Sequence, residues 1–439
     1  VGIGGIGMSA LARYFNQLGI EVHGYDKTAT NLTRTLEEEG MQIHYEDAVR
    51  YVPQQLDLVV YTPAIPDDHQ ELTYLRTQAI PLKKRAEVLG WISQNRRTIA
   101  IAGTHGKTTT SSILTHLLKV GGIDCTAFLG GIAQNYGGNF VGGQAEWVVV
   151  EADEYDRSFL HLHPEIALIL SMDADHLDIY GDGVHMVEGF QAFARQLKTN
   201  GRLYVNHAWE KQVEALNLSH QTYGLEQGLY RATNTRVEAG YFVFDYQSPT
   251  ERMEALRFTL PGRHNIENAV AAMAIAQQLG VKASAVRTAL ASFKGIKRRF
   301  EMIYRDDQRV YIDDYAHHPS ELKAAIAAAK MLYPKQKITG IFQPHLYSRT
   351  RDFMEGFAAE LDQLDHLLLL DIYPAREVPI PGITSEVILD KMKNPNRQLI
   401  EKAAVLDWIE TQQPEVLLTL GAGDIDQLVH PIKTLFDHV

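Results

Sequence analysis

The segment that decides the fold class reads Ile99-Ala-Ile-Ala-Gly103-Thr-His-Gly106-Lys107-Thr108-Thr-Thr110. Its apolar start predicts a buried strand, and a helical pattern over 111–119 follows the glycines. Glycines allow backbone N–H groups to close around a polyphosphate, while Lys107 can reach the outer phosphates and the Thr108 hydroxyl can bind Mg²⁺. A chance helix N-terminus would not require a strand, glycines, a Lys-Thr pair and a helix in this order. The predicted ATP-binding loop comprises Gly103, Thr104, His105, Gly106, Lys107, Thr108 and Thr109.

Apolar runs typical of strands alternate with helical patterns along the 439 residues, which predicts an α/β fold with mostly parallel sheets. We expect three domains: a Rossmann-like N-terminal domain (1–97), a central P-loop ATPase-like domain (98–297) and a Rossmann-like C-terminal domain (298–439). The predicted strands are 21–25, 56–61, 98–102, 147–150, 166–170, 241–244, 310–312, 338–342, 366–370 and 416–420. The predicted helices include 10–18, 111–119 and 265–279.

Composition excludes several functional classes. The formal net charge is -12, so no basic surface argues for nucleic acid. Cys125 is the only cysteine, which excludes a disulfide framework and disfavours a cysteine zinc site. No apolar run reaches the roughly 18 residues that a membrane span needs, and no signal peptide is recognisable. We therefore expect a cytoplasmic protein with no nucleic-acid or membrane partner, and the oligomeric state stays open.

A second group of polar residues follows two further predicted strands. Glu151 comes directly after one apolar run, and Asp175 and His176 come shortly after the next. Ligands bind at the carboxyl ends of strands in open α/β sheets, and Mg²⁺ prefers carboxylates together with phosphate oxygens. We therefore predict a metal site formed by Thr108, Glu151 and His176, and Asp175 would orient the histidine. The other acidic residues of the first stretch are equally typical of a solvated turn: Asp153, Glu154 and Asp156.

The N-terminal residues form a third candidate site. Gly2, Gly4 and Gly7 give the pattern G-x-G-x-x-G ahead of a helix, and Asp26 lies 24 residues after Gly2, at the end of the next predicted strand. Such a turn holds a pyrophosphate on a helix N-terminus. It fits NAD, with Asp26 at the adenosine ribose, and it fits the diphosphate of a UDP-sugar equally well. Because an ATP loop is also present and no hydride-transfer site is evident, we favour the UDP-sugar.

Together these motifs resemble those of the Mur ligase family over essentially the whole chain. The family's phosphate loop reads Gly-Thr-x-Gly-Lys-Thr/Ser, as residues 103–108 do. Two residues separate the first glycine from the Gly-Lys pair instead of the usual four, which sets the chain apart from ordinary P-loop enzymes. The family's metal-binding glutamate and Asp-His pair match Glu151 and Asp175-His176. Further similar stretches are Gly262-Arg-His264-Asn265-Ile-Glu-Asn268-Ala, Arg298-Arg299-Phe300-Glu301 and Asp313-Asp314-Tyr315-Ala-His317-His318-Pro319.

The resemblance implies a specific activity: ATP-dependent ligation of L-alanine to the carboxylate of UDP-N-acetylmuramate through an acyl-phosphate, with Mg²⁺, in peptidoglycan precursor synthesis. Leu346 departs from the family pattern because arginine is usual there, and its contact would be absent or supplied by Arg349 or Arg351. Ser171 stands where asparagine is common. The stretches that resemble this branch of the family are Gly2-Ile-Gly-Gly-Ile-Gly-Met-Ser9, the residues 103–108, Phe342-Gln-Pro-His345 with Tyr347-Ser-Arg349-Thr350, and Asp371-Ile-Tyr-Pro-Ala375 with Pro379-Ile-Pro-Gly382.

The resemblance also implies roles for individual residues. Lys107 would neutralise charge during phosphoryl transfer, and His317 and His345 are candidates for the general base or for orienting roles. Lys297 and Arg298 read as a solvated hinge. The implied catalytic residues are Lys107, Glu151, His176, Arg299, His317 and His345. Beyond the phosphate loop, the implied ATP-binding residues are His264, Asn268, Arg299 and Asp314, and the substrate-binding residues are Gly4, Gly5, Ile6, Gly7, Asp26, Thr62, Arg85, Tyr315, His317, His345 and Arg349.

Three alternatives to this activity stay open at the level of the sequence. The Glu154-Tyr155 pair resembles the family's murein tripeptide ligase of cell-wall recycling, which joins a peptide to the same sugar nucleotide. The N-terminal glycine pattern alone would suit an NAD-dependent oxidoreductase. A regulatory nucleotide-binding module without catalysis is the third. Release of phosphate from ATP that requires both a UDP-sugar and an amino acid separates the ligase from the last two.

Overall fold

The structure, a computed structural model, describes residues 1–173, 180, 182–375 and 377–438. The chain forms two compact units: Val1–Asn234, Phe244–Leu256 and Glu267–Lys294 in the first, and Thr235–Val243, Arg257–Ile266 and Gly295–Val439 in the second. The predicted α/β class with mostly parallel sheets is confirmed. The domain boundaries after residues 97 and 297 stay a prediction. Among the described residues, no helix combines the length and the apolar character that crossing a bilayer requires.

The N-terminal part of the first unit contains two small parallel sheets with flanking helices. Its elements are α1 (Ile6–Gln17), β1 (His23–Tyr25), α2 (Asn31–Glu38), β2 (Gln42–His44), β3 (Val59–Tyr61), α3 (Gln70–Arg76), β4 (Leu82–Lys84) and α4 (Arg85–Asn95). β1 pairs with β2, and β3 pairs with β4. The amides of Gly2 and Ile3 both donate to the carbonyl of Tyr25, which fixes the glycine turn beside β1. α1 begins directly after this turn, earlier than predicted, because Gly5 caps it in an extended conformation.

A ten-stranded sheet follows, with the strand order β14-β13-β12-β11-β10-β9-β5-β8-β6-β7. Its strands are β5 (Arg97–Ala102), β6 (Thr126–Ala133), β7 (Gly138–Val141), β8 (Trp147–Ala152), β9 (Ile166–Ile169), β10 (Arg202–Asn206), β11 (His220–Leu225), β12 (Tyr230–Glu238), β13 (Tyr241–Gln247) and β14 (Arg252–Phe258). The accompanying helices are α5 (Lys107–Val120), α6 (Gly183–Ala194), α7 (Glu210–Glu214), α8 (Arg263–Gln278) and α9 (Ala283–Ser292). β5 is parallel to both β8 and β9, with Ile101 opposite Glu151 and Leu168. The carboxyl ends of these three strands therefore lie side by side.

The core explains why β5 is apolar along its length. Both α4 and α5 contact β5, so side chains on either face of the strand are buried. Strands covered on both faces read as continuous apolar runs rather than as alternating patterns. Leu11 of α1 and Val88 of α4 belong to the same buried cluster as Ala100 and Val150. The N-terminal helices and the central sheet thus share one core, which accounts for their place in one compact unit.

The second unit contains a six-stranded sheet with the order β15-β16-β20-β17-β18-β19. Its elements are β15 (Glu301–Arg305), β16 (Val310–Asp314), α10 (Pro319–Leu332), β17 (Ile338–Phe342), α11 (Tyr347–Leu361), β18 (His366–Leu369), α12 (Glu386–Leu389), β19 (Arg397–Leu399), α13 (Val405–Gln412), β20 (Val416–Leu420) and α14 (Val429–His438). Only the β15–β16 pair is antiparallel among the pairs of this sheet. β17 and β20 have the predicted bounds. Successive side chains of these buried strands enter separate cores on the two faces, as Ile341 and Phe342 do.

A buried ion pair ties the start of this sheet together, and it corrects the interpretation of Arg298 as part of a solvated hinge. The Arg298 Nε atom donates to Asp313 Oδ2 at 3.1 Å, and its Nη2 atom donates to the Gly421 carbonyl at 2.6 Å. The Asp313 side chain is 1% exposed and also accepts from Thr419 Oγ1 at 2.6 Å. A carboxylate buried at the end of β16 requires such a partner. Lys297, by contrast, is exposed as expected.

We therefore predict that Arg298→Ala destabilises the protein much more than Lys297→Ala. Removing one partner of a buried ion pair costs about 3 kcal/mol, whereas an exposed substitution usually changes stability by less than about 0.5 kcal/mol. Thermal unfolding of the two variants and the parent, followed by circular dichroism under the same conditions, measures the difference. Equal melting temperatures for the two variants would contradict the structural role assigned to Arg298.

Candidate active site

The phosphate loop connects β5 to α5 and requires glycine at two positions. Gly103 has a φ of 144° and Gly106 a φ of 83°, which side chains rarely adopt. A Cβ atom on Gly103 would lie 2.8 Å from Leu170 Cβ, and one on Gly106 would lie 2.7 Å from Asn268 Oδ1. The loop therefore packs against the residue after β9, and Asn268 lies beside it as the family resemblance implied. α5 begins at Lys107, so its N-terminal N–H groups lie at the loop, where they favour an anion.

Lys107 is held by two oxygen atoms. Its Nζ atom donates to the Gly103 carbonyl at 2.7 Å and to Glu154 Oε2 at 2.5 Å. The Glu154 side chain is 1% exposed, although the sequence left this residue as an ordinary member of an acidic turn. Burial by itself lowers the pKa of Lys107, but the charges of Glu154 and Asp153 outweigh it, and the pKa is raised. The ammonium group is therefore charged at neutral pH.

Glu151 lies within β8 and not beyond its end, because the strand extends to Ala152. Its carboxylate accepts from Thr108 Oγ1 at 2.9 Å, from Ser111 Oγ at 3.0 Å and from the Gly130 amide at 2.5 Å. Burial raises the pKa of Glu151, partly offset by these hydrogen bonds. Two of the three predicted metal ligands, Thr108 and Glu151, are thus in contact. Sequence reasoning missed Ser111 and Gly130, because only the fold brings them to the carboxylate.

The remaining predicted metal residues, Asp175 and His176, lie outside the described residues. Across the described ranges, no group of three or more His, Cys, Asp or Glu side chains could hold a metal ion. Ser171, which stands where the family often has asparagine, contacts the loop directly. Its hydroxyl lies 2.8 Å from Thr104 Oγ1 and accepts from the His105 amide at 3.1 Å. The serine therefore braces the phosphate loop from the end of β9.

The predicted substrate residues of the N-terminal turn also lie together. The Gly4 amide donates to Asp26 Oδ2 at 2.7 Å, so this carboxylate braces the turn itself. A Cβ atom on Gly2 would lie 2.6 Å from Thr62 Cγ2, and one on Gly7 would lie 2.7 Å from Arg85 Nη1. Gly5 differs from these glycines, because the nearest atom to its Cβ would be the Gly2 carbonyl oxygen at 3.5 Å. Ile6 begins α1 and is partly exposed.

A second cluster of predicted site residues belongs to the second unit. Asp314 ends β16 and accepts from the amides of Phe300 and Ala316 at 2.6 and 2.7 Å. Burial raises its pKa to about 7, although Arg299 opposes the shift. The Arg299 guanidinium carbon lies 5.2 Å from the centre of the Tyr315 ring. A buried carboxylate and a cation therefore lie at the start of this unit.

Three histidines accompany that pair. His317 Nδ1 lies 3.0 Å from the Tyr315 carbonyl and 3.1 Å from Glu321 Oε2, and burial lowers its pKa. The His345 ring is 6.2 Å from the His317 ring. His264 is also in this unit, and burial lowers its pKa to about 4. These histidines are therefore neutral imidazoles at pH 7 where a shift is given.

The arginines near His345 resolve where a replacement for the unusual Leu346 would come from. Arg349 Nη1 lies 3.4 Å from His345 Nδ1. Arg351 instead forms an ion pair with Asp352 and is 52% exposed. Leu346 itself has a φ of 71° and precedes α11. Arg349, and not Arg351, thus lies in the cluster with His345.

Comparisons with known proteins extend along the whole chain. Three family models match: the Mur ligase family catalytic domain over 1–97, the Mur ligase middle domain over 101–276 and the Mur ligase glutamate ligase domain over 298–423. The UDP-N-acetylmuramate–L-alanine ligase of Flavobacterium johnsoniae is 49% identical, covering 100% of this chain and 97% of its own length. The crystal structure of UDP-N-acetylmuramate–alanine ligase from Thermotoga maritima has a TM-score of 0.85 and 28% identity, covering 100% and 98% of the two chains. A murein peptide ligase from Psychrobacter arcticus shares the fold, with a TM-score of 0.72, 23% identity and coverage of 100% and 98%.

We predict that Lys107→Ala lowers the rate of ADP formation by about 10³-fold, as expected for loss of a cation that stabilises phosphoryl transfer. The variant should also lose about 3 kcal/mol of stability, because Glu154 is left buried without its partner. The double variant Lys107→Ala/Glu154→Gln should regain stability but not activity. Lys119→Ala, at the other end of α5, is the matched control. A coupled ADP assay and thermal unfolding give both quantities, and parent-like ADP formation by Lys107→Ala would overturn the loop assignment.

Proposed function

Because the chain belongs to the Mur ligase family, we propose that it joins L-alanine to the carboxylate of UDP-N-acetylmuramate, forming ADP and phosphate, in peptidoglycan precursor synthesis. The observation that carries the proposal is the similarity to a ligase of that name over the full length of both chains. The charged Lys107 in a glycine loop at the carboxyl ends of three parallel strands supports the use of ATP. The use of ATP and a sugar nucleotide favours the cytoplasm.

The first step activates a poor electrophile. A carboxylate oxygen of the sugar's lactyl group attacks the γ-phosphorus of ATP, the bond to the β-phosphate oxygen breaks, and ADP leaves with that electron pair. The product is an acyl-phosphate. Phosphoryl transfer depends on positioning and charge stabilisation, and the loop amides, the N-terminus of α5 and Lys107 supply both. The proposed ATP contacts in the second unit are Asp314, Arg299 and His264.

Mg²⁺ is the metal that the oxygen donors of this site fit. Thr108 Oγ1 and the Glu151 carboxylate are 2.9 Å apart at the carboxyl edge of the sheet. Mg²⁺ is usually held by one or two such protein ligands together with substrate phosphates. We propose that these two residues hold it, with His176 as a further ligand, and the bound ion would neutralise phosphate charge.

The second step forms the amide bond. The neutral amine of L-alanine attacks the acyl carbon, the bond to the phosphate oxygen breaks, and phosphate leaves. The nitrogen then loses a proton. His317 is suited to receive it: the Tyr315 carbonyl only accepts, so Nδ1 carries the hydrogen and Nε2 keeps its lone pair. The lowered pKa of His317 keeps the ring neutral at pH 7. His345, Arg349 and Tyr315 would orient the carboxylate and the amino acid.

The amino-acid acceptor is the first quantity to test. We expect ADP formation to require both UDP-N-acetylmuramate and L-alanine, and to be at least about tenfold slower when the murein tripeptide replaces L-alanine, since contacts to a small side chain can supply that discrimination. A coupled assay of ADP release with each acceptor at equal concentration measures this. Preference for the tripeptide would establish the recycling activity instead, and ADP release without either acceptor would exclude a ligase.

The N-terminal turn provides a second test. Gly5→Ala and the bulkier Gly5→Val should fold normally, because a Cβ atom at Gly5 meets only ordinary contacts within the protein. A side chain there would obstruct a diphosphate, and we expect UDP-N-acetylmuramate to bind roughly 10- to 100-fold more weakly while binding of an ATP analogue is unchanged. Gly138→Ala, another glycine with room for a Cβ atom, is the control.

Calorimetric titration with each nucleotide separates the possible outcomes. Weaker binding of the sugar nucleotide alone supports the proposed role of the turn. Equal loss of both ligands would indicate a general structural effect of the Gly5 substitutions. Binding of NAD to the parent protein, without binding of the UDP-sugar, would support the oxidoreductase and contradict the ligase.

A further inference from the structure

The acidic turn after β8 has one buried carboxylate among exposed ones. Glu154 is 1% exposed and contacts Lys107, whereas Asp156 is 48% exposed and lies 3.6 Å from Lys84 Nζ. Asp153 is also partly exposed, with its Oδ2 atom 3.7 Å from Arg85 Nη2. The two partly exposed pairs are screened by solvent, whereas the buried pair is not. Glu154 therefore differs from its neighbours in what it does to the cation it contacts.

The backbone of this turn is held in an uncommon conformation that places Glu154 under the phosphate loop. Asp156 and Arg157 follow with φ values of 52° and 54°, two successive non-glycine residues in the left-handed region. The Tyr180 hydroxyl donates to the Glu154 carbonyl at 2.8 Å, and the Phe159 amide donates to the Asp153 carbonyl at 2.9 Å. Such strain persists only where surrounding contacts enforce it, and it is common at functional sites.

The geometry leaves Lys107 one donor for a phosphate. An ammonium group has three N–H donors, and the Gly103 carbonyl and Glu154 engage two of them. Both contacts fix the direction of the third. The negative charge of Glu154 has a second consequence, because a phosphate bound at Lys107 must share the cation with a buried carboxylate.

We propose that Glu154 is a positioning residue of the ligase reaction that acts through Lys107. It orients the ammonium group for phosphoryl transfer and, by its charge, keeps ground-state binding of the nucleotide weak. Binding energy that is not spent on the ground state is available in the transition state, where negative charge is redistributed over the transferred group. This inference rests on the proposed function only in assuming that a nucleotide binds at this loop.

The proposal predicts opposite changes in affinity and rate. Glu154→Gln removes the charge and retains the shape, so the β,γ-methylene analogue of ATP, with Mg²⁺, should bind about tenfold more tightly, or roughly 1.4 kcal/mol. The kcat value should fall about tenfold, because the ammonium group loses its fixed direction. A purely structural glutamate would lower stability and rate but would not strengthen nucleotide binding.

A conservative variant separates charge from position. Glu154→Asp retains the charge but moves it away by one methylene group, so the analogue should bind within about twofold of the parent while kcat still falls. The controls are Asp156→Asn, in the same turn, and Glu165→Gln, whose ion pair with Arg97 lies at the opposite end of β5. Both controls should leave affinity and rate unchanged.

Calorimetry with the analogue, steady-state kinetics and thermal unfolding of the full chain test the proposal. Without nucleotide, Glu154→Gln should melt at a lower temperature than the parent, and saturating analogue should raise its melting temperature more than it raises that of the parent. Unchanged or weaker analogue binding by a folded Glu154→Gln protein would overturn the proposal. If that variant does not fold, a parent-like kcat for Glu154→Asp would overturn it.

The binding measurements need neither sugar nucleotide nor amino acid, so they can be read independently of the ligase activity. Tighter analogue binding by Glu154→Gln in a protein that forms no amide would support the charge effect and refute the ligase assignment. A parent protein that does not bind the analogue at all would overturn both.

Discussion

Parallel pairing of β5 with β8 and β9 is the constraint on which the first candidate site depends. The pairing places Ile101 opposite both Glu151 and Leu168, so three chain segments leave the sheet at one edge. Residues far apart in sequence then meet because parallel strands end together. The apolar character of β5 that makes this pairing stable is also what makes the segment recognisable in the sequence. The same buried strand thus specifies the fold and the location of the chemistry.

Each cation and carboxylate at that edge creates a desolvation cost that its neighbours must offset. Glu151 is buried and accepts three hydrogen bonds, and Lys107 is raised in pKa only because carboxylates outweigh its burial. Removing charges from water is unfavourable unless they are paired. An edge that carries unlike charges in contact is therefore already arranged for a polyphosphate and a divalent cation, which add charges of both signs.

The sequence predicted the fold class, the phosphate loop and most strands, because glycine spacing and apolar runs report local conformation directly. It placed β17 and β20 at their observed bounds, where the buried runs have clear ends. It did not identify Glu154 as the partner of Lys107, since an acidic turn looks the same whether it is solvated or folded inward. Arg298 was misread for the same reason: its partner Asp313 is distant in sequence, and only the sheet brings them together.

Strand geometry explains how adjacent acidic residues acquire different roles. Successive side chains of a strand point to opposite faces, so Asp313 and Asp314 at the end of β16 meet different surroundings. Asp313 faces Arg298 and Thr419 and is fully enclosed, whereas Asp314 accepts from the amides of Phe300 and Ala316. The first residue holds the sheet together, and the second is available to the candidate site. An acidic pair at the end of a parallel strand can therefore combine a structural and a functional carboxylate, and burial on each face, not residue type, decides which is which.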